Sequence, residues 1–117
     1  MYRNLNEIEF NSIPEDAWRK LGCYVYALRD PCDKRVFYIG KGGGTGAGNN
    51  RVYDHFIEAE KPARDGSKLN RIRAIWKSGK KVDWFIVRRN IDEQTALQIE
   101  GSLIDAFGSV RFFVCEA

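Results

Sequence analysis

The sequence predicts an α/β fold: a small mixed sheet of about three strands flanked by helices, preceded by a short N-terminal helix. Three observations predict it. The runs CYVYAL and VFYIG are rich in β-branched and aromatic residues, and the RDPCDKR between them carries an Asp-Pro turn signal, as in a hairpin. Helical apolar spacing follows at residues 50–60, 67–78 and 92–107. Between the last two, KVDWFIVRR reads as a third strand, so the order is β-β-α-α-β-α, with no repeat and no low-complexity stretch beyond one glycine-rich loop.

Each element has its own signals. Ser12 and Glu15 have the S-x-x-E form of a capping box, with Pro14 in the first turn and Gly22 as a stop, which predicts a short helix through Trp18 to Leu21. After the hairpin, Asn50 starts a helix that ends near Glu60, and Ser67 caps another that Gly79 ends. Asp92 caps the last helix, which runs to Phe107 with Gly108 past its end, and VRFFV is expected as a final short strand.

Composition narrows the function classes. A chain of 117 residues, 44% apolar and 13% aromatic, is expected to form one domain over residues 1–117 around one core. No apolar run approaches the roughly 20 residues of a membrane span, and MYRNLNEIEF is too polar for a secretory signal, so a soluble, cytoplasmic protein without membrane contact is expected. Cys23, Cys32 and Cys115 lack the spacing of a zinc site and are expected as free thiols. Net charge is +3, but residues 61–89 hold ten Lys or Arg against Asp65 and Asp83, the footprint of a polyanion partner such as nucleic acid or, on the plainer reading, a solvated helix face. Within this block Leu69, Ile72 and Trp76 are expected to face the core, with Lys68, Arg71 and Lys77 turned out to phosphates.

The stretch RVFYIGKGGGTGAGNNRVYDHF raises nucleotide binding first, since glycine loops before helices attract phosphate. Both phosphate cradles fail. A Walker A loop needs a Gly five positions before its Gly-Lys, where Gly40 and Gly79 have Arg35 and Ala74 instead. A dinucleotide fingerprint needs a third Gly where Thr45, Ala47, Asn49 and Arg51 stand. No nucleotide cofactor is expected. What remains is the pair Arg51 and His55, one turn apart on one helical face, with the Arg at a helix start where a bound anion would give it a reason, the other reading being a surface Arg and a half-exposed His. Glu100 is the second anomaly, a carboxylate whose nearest helical neighbours are Ala96, Leu97, Leu103 and Ile104. Burial of such a group calls for a partner, a metal or a raised pKa.

The ordered series Tyr26, Tyr38, Gly40, Arg51, His55 and Glu100, with Tyr24-Val25-Tyr26, Tyr38-Ile39-Gly40, Lys41 and IEGSLIDAFG around it, resembles the GIY-YIG nuclease family over about residues 22–108. YIGKG, NRVYDH and KLNRIRAI are most similar to the subgroup of the metazoan nuclease with ankyrin repeats and a LEM domain and its bacterial and phage relatives. The resemblance implies a metal-dependent endonuclease hydrolysing DNA by a one-metal mechanism. Tyr26 and Tyr38 would face the scissile phosphate, one of them, or a water it contacts, would help activate the attacking water, Arg51 would bind the phosphate, and His55 would be a base or phosphate ligand. Glu100 would hold a single divalent ion, Mg2+ or Mn2+, with Gly40 permitting close backbone approach and Lys41 matching a basic residue of several members. The reading of a different class is an inactive module of the same fold that binds nucleic acid or a protein. A domain this small also leaves room for a protein partner in targeting. Three features depart from the family pattern: Tyr24 replaces the name-giving Gly, the loop from Gly42 to Asn50 is long, and SVRFFVCEA lacks the Asn many members carry after the Glu helix.

Overall fold

The computed structural model describes residues 2–43 and 50–108. Its elements are α1 (Glu7–Asn11), α2 (Glu15–Lys20), β1 (Cys23–Arg29), β2 (Val36–Gly42), α3 (Arg51–Glu60), α4 (Ser67–Lys77), β3 (Asp83–Ile91) and α5 (Glu93–Gly108). The predicted order holds, with α1 added before it. VRFFV, Cys115 and the glycines from Gly44 to Gly48 lie outside the described residues.

The sheet order is β2-β1-β3, and both pairings are antiparallel. The expected mixed sheet is therefore wholly antiparallel among the described residues. β3 runs in the direction of β2 on the other side of β1, because α3 and α4 return the chain to the end of the sheet where β2 began. Alternation along β1 divides the core. Tyr24, Tyr26 and Leu28 face one cluster with Phe10, Trp18, Val52, Phe56, Leu69, Ile72 and Trp76. Val25 and Ala27 face the other, with Ile39, Ala96, Ile99 and Leu103.

Two caps differ from the sequence reading. Ser12 hydroxyl donates to the Glu9 carbonyl at 2.7 Å and so closes α1, while Pro14 occupies the cap position of α2 without a side-chain bond. Gly66 at φ 142° takes the cap of α4, leaving Ser67 as its first helical residue. Asn50 and Asp92 cap as expected, accepting from the N–H groups of Tyr53 at 3.4 Å and Thr95 at 2.7 Å. Gly22 and Gly79 end α2 and α4 at φ 62° and 84°.

The segment before residue 22 belongs to the core. Phe10 stacks on Tyr53 and Trp84 with ring centroids 4.7 and 5.0 Å apart. Asn6 is fully buried and fully bonded: its Oδ1 accepts from Trp76 Nε1 and Val82 N–H, both at 3.0 Å, and its Nδ2 donates to the Val82 carbonyl at 2.9 Å. Such pairing removes the penalty of an amide in an apolar interior.

Candidate functional site

The site is built on two tyrosine-glycine pairs across the hairpin. Tyr26 lies opposite Gly40, and Tyr24 opposite Gly42. A Cβ at Gly40 would come 2.5 Å from the Tyr26 hydroxyl, and one at Gly42 would come 2.6 Å from the Tyr24 ring. The missing side chains let both phenols lie across β2 and reach α3. The approach that Gly40 permits is therefore that of Tyr26.

Tyr24 reaches the start of α3, where its phenol oxygen accepts from the backbone N–H of Arg51 at 3.2 Å. It satisfies one of the donors a helix start leaves unpaired. Tyr26 reaches one turn further and forms a short hydrogen bond with Nε2 of His55. His55 is only 1% exposed, and its other ring nitrogen, Nδ1, lies 2.8 Å from Nζ of Lys68 on α4. Tyr38 completes the cluster, its ring edge-on to His55 with centroids 4.7 Å apart, and Nζ of Lys68 lies 4.9 Å from the Tyr38 ring centre.

Electrostatics follow from this packing. Burial, then the charges of Lys68 and Arg51, push His55 down to about 3, so the ring is neutral at ordinary pH. Burial pushes the Tyr26 phenol up, helped by Tyr38 and Glu100 and opposed by Arg51. Tyr38 is raised in the same way by burial, with Arg51 opposing and Glu100 adding. Burial lowers Lys68, while Glu58 favours its charged form and Arg51 opposes it. Arg51 and Glu100 thus act electrostatically on the same pair of phenols from α3 and α5. Arg51 is exposed, with Asp54 as a neighbour at 3.6 Å.

Several sequence expectations are corrected. Arg71 does not face outward: its side chain is 9% exposed and its guanidinium binds Asp30 at 2.7 Å and Asp33 at 2.9 Å. Burial disfavours the Asp30 charge, but the Cys32 N–H and Arg71 outweigh it and hold the carboxyl below its ordinary range. Lys68 turns inward to His55. Arg73, another member of the basic block, is buried and donates to the carbonyls of Ala59, Lys61 and Arg64 at 2.9, 2.7 and 2.6 Å. Lys77 is exposed as expected, but it lies nine residues along α4 from Lys68, about 13 Å at 1.5 Å per residue, and the structure does not bring it to the site. Lys41 is half-buried, with Glu93 of α5 at 3.9 Å.

Glu100 is not at the centre of a buried stripe. Ala96, Ile99 and Leu103 pack on the sheet, whereas Leu97 and Ile104 are 51% and 38% exposed. The packed face is centred about 60° from Glu100, which leaves the carboxylate half-buried at its edge. Among the described residues no group of three or more His, Cys, Asp or Glu is placed to hold a metal ion. A cation here would rest on Glu100 with water filling its other positions, which suits a hard ion that keeps its hydration.

Two participants were not foreseen in these roles. Tyr24, which stands where the family has Gly, caps α3. Lys68 was read as an outward phosphate contact, although its spacing to Ile72 and Ile75, four and seven residues on, already puts it on the buried face of α4.

A family model described as the LEM-3-like GIY-YIG domain matches residues 33–114. The matched span starts in the hairpin turn, so Tyr24 and Tyr26 of β1 join the site through strand pairing. No curated protein and no solved structure matches the chain. Among the described residues, no helix is long and apolar enough to cross a membrane.

Proposed function

The chain belongs to the GIY-YIG family, whose domains are generally nucleases, and from that premise we propose that it is an endonuclease hydrolysing DNA phosphodiester bonds with one divalent cation. One observation carries the reading: the buried phenol of Tyr26 and the half-buried phenol of Tyr38 meet a neutral His55, and Arg51 on α3 and Glu100 on α5 act on both phenols.

Phosphodiester hydrolysis needs an activated water and neutralisation of charge developing on the phosphate and the leaving oxygen. Arg51, always charged and exposed at the start of α3, binds the phosphate. Tyr26 and Tyr38 orient and activate the attacking water. His55 is buried with both of its nitrogens engaged, and it acts through Tyr26. Glu100 would hold the cation, magnesium or manganese, which would supply Lewis-acid stabilisation of the leaving oxygen. Lys41 and Lys77 bind phosphates away from the cleaved bond. Arg71 is reassigned to anchoring α4 on the hairpin turn.

The test is nicking of supercoiled plasmid with and without magnesium. Magnesium-dependent conversion to the open circle, lost in Arg51→Ala, supports the endonuclease. DNA binding without nicking under magnesium or manganese makes the chain a binding module of the same fold.

A further inference from the structure

His55 has two hydrogen-bonded nitrogens and, when neutral, one proton to place between them. Where that proton lies decides which group at the site donates and which accepts. We propose that Lys68 sets this polarity: its ammonium donates to Nδ1, holds His55 as the Nε2–H tautomer, and makes the ring the donor to the Tyr26 hydroxyl oxygen. The inference rests on the nuclease reading for its catalytic meaning, but not for its geometry.

An ammonium has three donors and no acceptor, so a charged Lys68 at 2.8 Å permits only an acceptor at Nδ1. Two groups favour the charge. The face of the Tyr38 ring lies under Nζ at 4.9 Å, and the Glu58 carboxylate on α3 acts on it from the same side of the sheet. Burial and Arg51 work against it, and Tyr24 and Tyr26 on β1, Tyr38 on β2 and Glu100 on α5 are further titratable groups around the cluster. The ring itself stays neutral, because it is buried and faces two cations.

α4 is held in place for this contact. One turn beyond Lys68, Arg71 ties the helix to Asp30 and Asp33 of the hairpin turn and lies over the Phe37 ring at 5.5 Å. Lys68 therefore meets His55 from an anchored helix.

The chemical consequence falls on Tyr26. With Nε2–H donating to its oxygen, Tyr26 keeps its own proton and turns it away from the ring, and the phenol oxygen is held by a donor backed by a cation. With the opposite polarity His55 would accept the Tyr26 proton and be the base. Lys68 is thus a positioning residue that decides whether Tyr26 accepts from the ring or donates to it.

His55 is the only histidine, so ring correlations in protein labelled with ¹⁵N-histidine report this site alone, without DNA or metal. The expected wild-type spectrum has a protonated Nε2 and an unprotonated Nδ1. Lys68→Met should mix or reverse the tautomers, and Lys68→Arg should keep the wild-type form. A wild-type Nδ1–H ring overturns the proposal even if Lys68→Met does not fold, and an unchanged ring in folded Lys68→Met overturns it as well. In nicking kinetics Lys68→Met should lower kcat by about tenfold or more with KM little changed. A loss confined to KM would make Lys68 a phosphate contact instead. If plasmid nicking is absent while Nε2–H is observed, the nuclease reading fails and the tautomer assignment stands.

Discussion

The phenol of Tyr24 and the backbone N–H of Arg51 form one hydrogen bond, 3.2 Å long, that joins the central strand to the first residue of the helix carrying the phosphate-binding candidate. Burial pushes the Tyr24 hydroxyl up to about 12, against the opposing pull of the Arg51 and Val52 N–H groups, so it remains protonated. Tyr24→Phe keeps the ring and deletes the cap. It should lose about 1 kcal/mol of stability by the usual worth of such a bond, and plasmid nicking should fall by about tenfold as Arg51 loses its fixed origin. Unchanged melting and nicking would show that the contact positions nothing.

His55 makes acid stability depend on burial. Its pKa is depressed to about 3 in the folded chain from an ordinary 6.5, so between these values the unfolded chain binds the extra proton. The contribution is complete above pH 6.5 and is lost as pH falls, at up to about 1.4 kcal/mol per pH unit. Denaturant unfolding from pH 7 to 4 should show this slope in the wild type and a smaller one in His55→Gln. Equal slopes would mean that the ring titrates normally.

Arg71 and Lys77 should separate sharply although both lie in the basic block. Arg71→Ala leaves Asp30 without its cationic partner in a largely buried position and should cost about 3–5 kcal/mol. Lys77→Ala should melt within about 0.5 kcal/mol of the wild type and lower the salt slope of DNA binding by close to one. Equal melting of the two variants would return Arg71 to the surface.

Much of this was legible in the sequence because it depends on local pattern. Asn50 and Asp92 announce their helices by side-chain chemistry, Gly79 by its backbone freedom, and CYVYAL with VFYIG by residue type. The failures have one physical origin, which is that partners distant in the chain override local preference. Arg71 looks like a solvated cation until the hairpin turn brings Asp30 and Asp33 to it from 41 and 38 residues away. Lys68 looks like a surface residue until His55 arrives, and Ser12 looks like a cap until the preceding turn claims its hydroxyl. Glu100 was recognised, but its depth was not: only tertiary packing decides that α5 buries the face of Ile99 and leaves Leu97 exposed.

The central claim is that Glu100 serves a cation and not the fold, and Glu100→Gln tests it in one experiment on one protein. Melting temperature, DNA affinity and magnesium-dependent plasmid nicking are measured together. The carboxylate is half-buried at the edge of the packed face, so its neutral isostere should melt with the wild type or slightly above it and bind DNA equally. Nicking should fall by about 100-fold or more, since each 1.36 kcal/mol of lost transition-state stabilisation is tenfold. A large drop in melting temperature with nicking preserved would contradict the account and make Glu100 a structural residue.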